Sequence, residues 1–305
     1  MEKDPRSRRI AGKKKHAREI ATPYLMILPG FSIYFIFVLI PIVATVVLSF
    51  TNYDFFRSFD FIGLTNYRRM INDPIFLQSL RNTAFYSFFT IIPQIVIGLI
   101  LATLLNSKLR GRQFFRVSFY IPYVTSFVAI SMVWLLIYNT NFGILNWLLR
   151  QMGLPAQRWL FDLNLAMPSI IIMSIWKVVG YNMIIYLAGL QQIPSQLYEA
   201  AMIDGASSLR KFFSITVPLL KPTTFFLFVV CCVQSFSVFE QVNLMTDGGP
   251  MNATTTIVHQ IYRRAFNELQ MGYASSMAVV LLMITMIITL INFKYGQNVS
   301  TTDIG

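Results

Sequence analysis

Charge is what this chain has least of. Only 12% of its 305 residues are charged and only 13 are acidic, while 55% are hydrophobic. Soluble domains carry about 25% charged and about 45–50% apolar residues, so an ordinary water-soluble globule is excluded. Cysteine is nearly absent, and the two present, Cys231 and Cys232, are neighbours. Successive side chains on a helix diverge, so both read as small buried hydrophobes, and a disulfide scaffold is excluded. Glycine (15) and proline (13) are too few for collagen or a low-complexity tract.

Catalytic patterns are missing as well. No G-x-x-x-x-G-K-[ST] loop is present to cradle ATP phosphates. Gly12-Lys13-Lys14 lacks both the upstream glycine and the hydroxyl residue. There is no H-E-x-x-H, no G-x-S-x-G and no Cys/His zinc spacing, and His16 and His259 stand far apart. An intramembrane hydrolase is therefore disfavoured, and no cofactor or metal is expected.

What the chain does have is six apolar stretches of the roughly 20 residues that a bilayer core requires. They cover about 24–50, 84–105, 120–138, 166–190, 223–244 and 274–293. The first is too long for a signal-peptide core of about 7–15 residues and reads as a retained anchor. The fold class expected is an all-α membrane protein with six transmembrane helices. A tail at 1–22, a first helix and short outer segment at 23–77, a main unit at 78–293 and a tail at 294–305 divide the chain.

The net charge of +12 is unevenly spread: eight of the 25 basic residues lie in the first 22 positions. That crowding precedes an apolar run, which favours membrane anchoring over a nucleic-acid arm. Segments joining the spans on the N-terminal side hold 16 basic residues and the alternate segments hold eight. Both termini are thus expected in the cytoplasm. Gly98 and Ala102 form a small-xxx-small step that marks close helix packing. Lys177 and Glu240 are the ionisable groups at membrane depth, read either as a structural pair, as side chains snorkelling to water, or as part of a transport path.

The segment 191–222 between the fourth and fifth stretches is polar and interrupted. Ser195 after Pro194 reads as a helix N-cap, Gly205 as a break, and Ser207 as the cap of a second short helix ended by Pro218 and Pro222. On that second helix Leu209, Phe212 and Phe213 share a face. Periodicity alone leaves two readings open: an interfacial segment on lipid headgroups, or a docking element for a cytoplasmic partner.

Glu199-Ala200-Ala201, Gly205, Ile215 and Pro218 resemble the EAA signature of permease subunits in ATP-binding-cassette importers, with Val217 where leucine is usual. Further motifs follow in order along the chain. They are Gly63-Leu64-Thr65-Asn66-Tyr67, Asp73-Pro74, Asn82-Thr83, Gly143-Ile144-Leu145-Asn146, Thr246-Asp247-Gly248-Gly249-Pro250 and Thr254-Thr255-Thr256. Together they are similar to the first permease subunit of carbohydrate importers of the maltose and glycerol-phosphate type. The outer segment 51–81 is short, as in compact six-span members.

The resemblance implies a type I importer permease fold in the cell membrane, without its own ATPase site. Glu199, Ala200, Ala201, Asp204, Gly205, Ile215 and Pro218 would couple it to the ATPase. The implied partners are a second homologous permease subunit, two ATPase subunits, an extracytoplasmic solute-binding protein, a sugar and the lipid bilayer, with no nucleic acid. Sugars are held by aromatic faces and a few directed polar groups. The resemblance points to Trp176 and Tyr181 in the fourth span and to Gln234 and Ser235 in the fifth. Their bland alternative is helix packing or an interfacial belt. An amino-acid or peptide permease, or a stand-alone channel or ion-coupled carrier, are the competing functions.

Overall fold

The computed structural model describes residues 22–54, 56, 59–107 and 110–300, with side chains through 294. The basic tail and Lys108 lie outside the described residues. Within them the chain is helical, and one isolated bridge, Thr51 to Phe61, is the only extended pairing. Among the described residues, four helices are long and apolar enough to cross a bilayer: α1 (Thr22–Leu48), α3 (Pro74–Asn106), α7 (Ala166–Gln191) and α13 (Met271–Ser300). A short α2 (Thr65–Ile71) precedes α3.

The other two expected spans are bent. The third apolar stretch divides into α4 (Arg112–Val124) and α5 (Phe127–Ile137), which meet at 103°. Thr125 and Ser126 turn extended there, and Ser126 Oγ accepts from the Val128 amide to start α5. The span expected over 120–138 is therefore sharply bent, and its first helix begins earlier, at Arg112. The fifth stretch is α10 (Lys221–Phe236), a break at 237–239, and α11 (Glu240–Met245). Such irregular backbone survives at membrane depth only where protein or a water-filled space satisfies it. Between α5 and α7, a short α6 (Ile144–Gln151) lies in the connecting segment.

α7 is the hub, two thirds buried, against α3, α4 and α10. Gly180 permits the closest approach: a Cβ there would sit 1.9 Å from the Phe119 carbonyl oxygen of α4. Gly98 of α3 faces Asn182, and Ala102 is fully buried, as the small-residue step predicts. One apolar cluster unites Ala102, Tyr186, Leu190 and Leu227 toward one end of the bundle. A second gathers Tyr86, Ile130, Ile170 and Val242 toward the other. By contrast, the apolar stretch of α1 buries none of its residues.

The two ends of α3 define the poles. At about 1.5 Å per residue its 33 residues run about 50 Å. At the starting pole, Asn82 Nδ2 donates to the carbonyls of Asn252 (3.0 Å) and Thr255 (2.9 Å), and Thr83 Oγ1 accepts from the Ile257 amide. Two motifs distant in sequence are thereby one structure, closed by α12 (Ile257–Tyr262). His259 is fully buried, with Asp247 at 3.2 Å and Thr255 at 3.1 Å. Burial pulls its imidazole below the ordinary value, and Asp247 opposes this in part.

Asp73 caps α3 by accepting from the amides of Ile75 and Phe76. It also accepts from Tyr273 Oη (2.8 Å) and Arg264 (3.1 Å). Burial pushes its carboxyl up, but the bonds from Tyr273 and the two amides, with the Arg264 charge, outweigh this and hold it below the usual value. Arg264 is mostly buried and also engages Glu268.

At the opposite pole two short helices form the 191–222 segment, α8 (Ser195–Ile203) and α9 (Ser208–Leu219). Ser195 is the first helical residue and caps nothing, because the N-cap position falls on Pro194. Gly205 adopts a left-handed φ of +72°, which makes the break. Ser207 caps α9 through the Arg210 amide, as expected. The helix bends 64° into α10.

Candidate functional site

A cavity of about 540 Å³ opens between the two apolar clusters, near the middle of α3. That volume lies in the range of small-molecule sites, about 300–1,000 Å³. α3 contributes Tyr86, Thr90 and Gln94, which recur every four residues on one face. The α4–α5 break contributes Tyr123, Thr125 and Ser126. α7 adds Ser174 and Lys177, and the α10–α11 break adds Gln234, Ser235, Ser237, Glu240 and Gln241. Both broken helices therefore bring their irregular backbone to the same space, an arrangement used to bind polar solutes at membrane depth.

Lys177 does not pair with Glu240. Its Nζ donates to three carbonyls of the α4–α5 break: Pro122 (3.1 Å), Tyr123 (3.0 Å) and Thr125 (2.8 Å). The end of a helix leaves four carbonyls unsatisfied and carries partial negative charge, so a buried ammonium suits it. The Phe127 ring lies 4.2 Å from the same nitrogen. Across the cavity, Gln241 Nε2 donates to Tyr86 Oη at 2.9 Å, fastening α11 to α3.

The sequence-derived binding residues separate here. Gln234 and Ser235 line the cavity. Tyr181 lies behind it, its ring stacked on Tyr123 at 4.6 Å, so it buttresses a lining residue. Trp176 is 45% exposed and packs edge-on against Trp134 in a separate groove outside the cavity. The helix period explains this. Ser174, Lys177, Val178 and Tyr181 follow i, i+3, i+4 and i+7, whereas Trp176 falls about 200° away from Ser174. The contributions of α3 and of the α4–α5 break were missed. The signal available was the polar spacing Tyr86, Thr90, Gln94 in an apolar helix, and Thr125-Ser126 after Pro122.

At the far pole the expected coupling residues lie together. Glu199, Ala200, Asp204 and Gly205 are exposed, whereas Ala201, Ile215 and Pro218 are half-buried. Ala201, Asp204 and Ile215 line a shallow groove of about 220 Å³ with Arg210 and Lys211. Beyond them Ile203 (87% exposed) and Phe213 (61%), with Met202 and Leu209, present bare apolar tips. None of the described residues covers them.

Residues 94–298 match the family model described as binding-protein-dependent transport system inner membrane component. The chain is 36% identical to a sn-glycerol-3-phosphate transport system permease protein of Agrobacterium fabrum, over 90% of this chain and 94% of that one. It is 33% identical to a trehalose/maltose transport system permease protein of Thermococcus litoralis, over 94% of this chain and 97% of that one. Among solved structures, a chain of a bacterial importer of the acidic polysaccharide alginate superposes with a TM-score of 0.84 at 23% identity, covering 93% of this chain and 98% of the other. The extent of these matches, and a fold shared with an importer, place the chain in the family of inner membrane components of binding-protein-dependent transport systems.

Proposed function

We propose that this chain is one of two permease subunits of an ATP-driven importer that takes up a sugar by alternating access. The observation that carries the proposal is the pole formed by α8 and α9. It sets exposed apolar tips on two short helices tied directly to α7 and α10, the helices that wall the cavity. Apolar side chains grouped on a surface mark a contact with another protein. Their setting beside the EAA residues fits a cleft in a separate ATPase subunit. This chain then needs no nucleotide site of its own.

The excess of basic residues on this side of the spans puts α8, α9 and both termini in the cytoplasm. Asn82, the 246–260 loop and α12 then face outward, toward a solute-binding protein. Lipid and the second permease subunit cover α1. Closure of the ATPase pair on ATP moves α8 and α9 as a unit. The motion passes to α7 and α10, and the breaks at 125–126 and 237–239 absorb the change of angle around the cavity. Access alternates between the poles. Sugar as the cargo is supported by the polar, hydroxyl- and amide-lined cavity and by the trehalose/maltose relative. Gln234 and Ser235 contact it directly, and Tyr181 acts through Tyr123.

Gentle affinity purification from native membranes, with companions identified by mass, tests the assembly. An ATPase and a second permease should be recovered. Phe213→Asp or Glu199→Lys should lose the ATPase and retain the second permease. Recovery of the chain alone would contradict the proposal.

A further inference from the structure

The cavity holds one cation and one anion, and they differ in what they have left to offer. An ammonium has three N–H donors. Lys177 spends all three on Pro122, Tyr123 and Thr125 and is 3% exposed. It therefore has no donor left for a ligand, and its charge is opposed by the carbonyl end of α4. Glu240 lies at the start of α11, exposed to the cavity, and forms no hydrogen bond or ion pair among the described residues. The neighbouring Gln241 donates to Tyr86 and leaves its own Oε1 without a partner. The remaining polar lining consists of hydroxyls and amides, which are neutral. The wall is thus rich in unused acceptors, and its one carboxylate has no hydrogen-bonded partner among the described residues.

We propose that Glu240 is a specificity-determining residue: its carboxylate accepts hydrogen bonds from hydroxyls of a neutral sugar and excludes sugars bearing phosphate or carboxylate. This rests on the reading of the cavity as the transport site. Bonds to a carboxylate are about twice as strong as those between neutral groups, so hydroxyl-rich ligands gain from it. An anionic ligand meets a like charge in a partly desolvated space, and the one cation there, Lys177, has its three donors taken by carbonyls and none to bind it. Discrimination then comes from a repulsive element as much as from an attractive one.

The test uses the purified permease–ATPase complex without its binding protein, so that only the membrane site selects. Ligand-induced thermal stabilisation is titrated with two matched pairs, trehalose against trehalose 6-phosphate and maltose against maltose 1-phosphate. Wild type should favour the neutral member of a pair by about 30-fold or more. The isosteric Glu240→Gln should bring that ratio within about threefold while unfolding at the wild-type temperature without ligand, and Glu240→Asp should restore it. Equal binding of the phosphorylated member by wild type, or a ratio unchanged in Glu240→Gln, overturns the role of Glu240 and leaves the importer reading standing. A complex that binds no probe of either charge removes the cavity as a sugar site, and both readings fall together.

Discussion

Lys177 Nζ lies 2.8 Å from the Thr125 carbonyl oxygen, across a sharp break in the α4–α5 segment. With Pro122 and Tyr123 as its other acceptors, this one side chain satisfies the backbone that the 103° turn exposes. A charge that looks costly inside a membrane is thus a structural cap and a wall of the cavity at once.

Lys177→Met should leave those carbonyls unpaired. Each orphaned buried carbonyl costs about 1–3 kcal/mol. Thermal unfolding of the detergent-solubilised complex should fall markedly, and uptake should be lost even where the chain inserts. An unchanged unfolding temperature would show that water replaces the ammonium without cost.

Gly180→Ala should separate α4 from α7. The added methyl would sit 1.9 Å from the Phe119 carbonyl oxygen, which is backbone and cannot step aside alone. Overpacking of this kind costs about 1–3 kcal/mol. The checks are thermal stability and the yield of folded chain, and a wild-type value for both would contradict the close approach.

The pole built from the 246–260 loop should loosen as pH falls. His259 is held below its ordinary value of 6.5 by burial, so its neutral form favours the folded loop. A group lowered in this way contributes stability above the unfolded value, and that stability is lost on acidification through the folded one. Asp73, lowered from 3.8, acts in the same direction at more acid pH. Amide exchange at 246–260, corrected for intrinsic rates, should be faster at pH 5 than at pH 7.5. His259→Gln should flatten the difference, and a pH-independent wild type would contradict the assignment.

Cavity and seam residues should separate in kinetics. Gln234→Ala should raise the KM for sugar uptake by about fivefold, corresponding to loss of a hydrogen bond of about 1 kcal/mol. Trp176→Ala should leave KM within about twofold while lowering stability by about 0.5–1.5 kcal/mol, the worth of an aromatic pair. A large KM change in Trp176→Ala alone would return that residue to the sugar site.

Much of this was legible in the sequence because it depends on local rules. The apolar stretches, the Gly98–Ala102 seam, the Gly205 break and the Ser207 cap each follow from residue type and spacing. The bend at Thr125 was signalled only by Pro122 and the Thr125-Ser126 pair, and its size was not legible, since an apolar run of this length reads alike whether straight or folded on itself. Lys177 was hidden for a different reason: its partners are backbone carbonyls, which every residue possesses. Trp176 was placed by residue type where helical phase decides, and the phase of Ser174, Lys177 and Val178 sends it to the other face. Asn82 meets Thr255 across 173 positions, a contact that no local pattern encodes.

The most direct measurement of the central claim is solute uptake into proteoliposomes containing the purified complex, with its binding protein outside and ATP supplied or withheld inside. A neutral sugar should accumulate only with ATP, and Phe213→Asp should abolish this although that chain inserts and keeps the second permease. Accumulation without ATP, or unaffected by Phe213→Asp, would contradict coupling through α8 and α9.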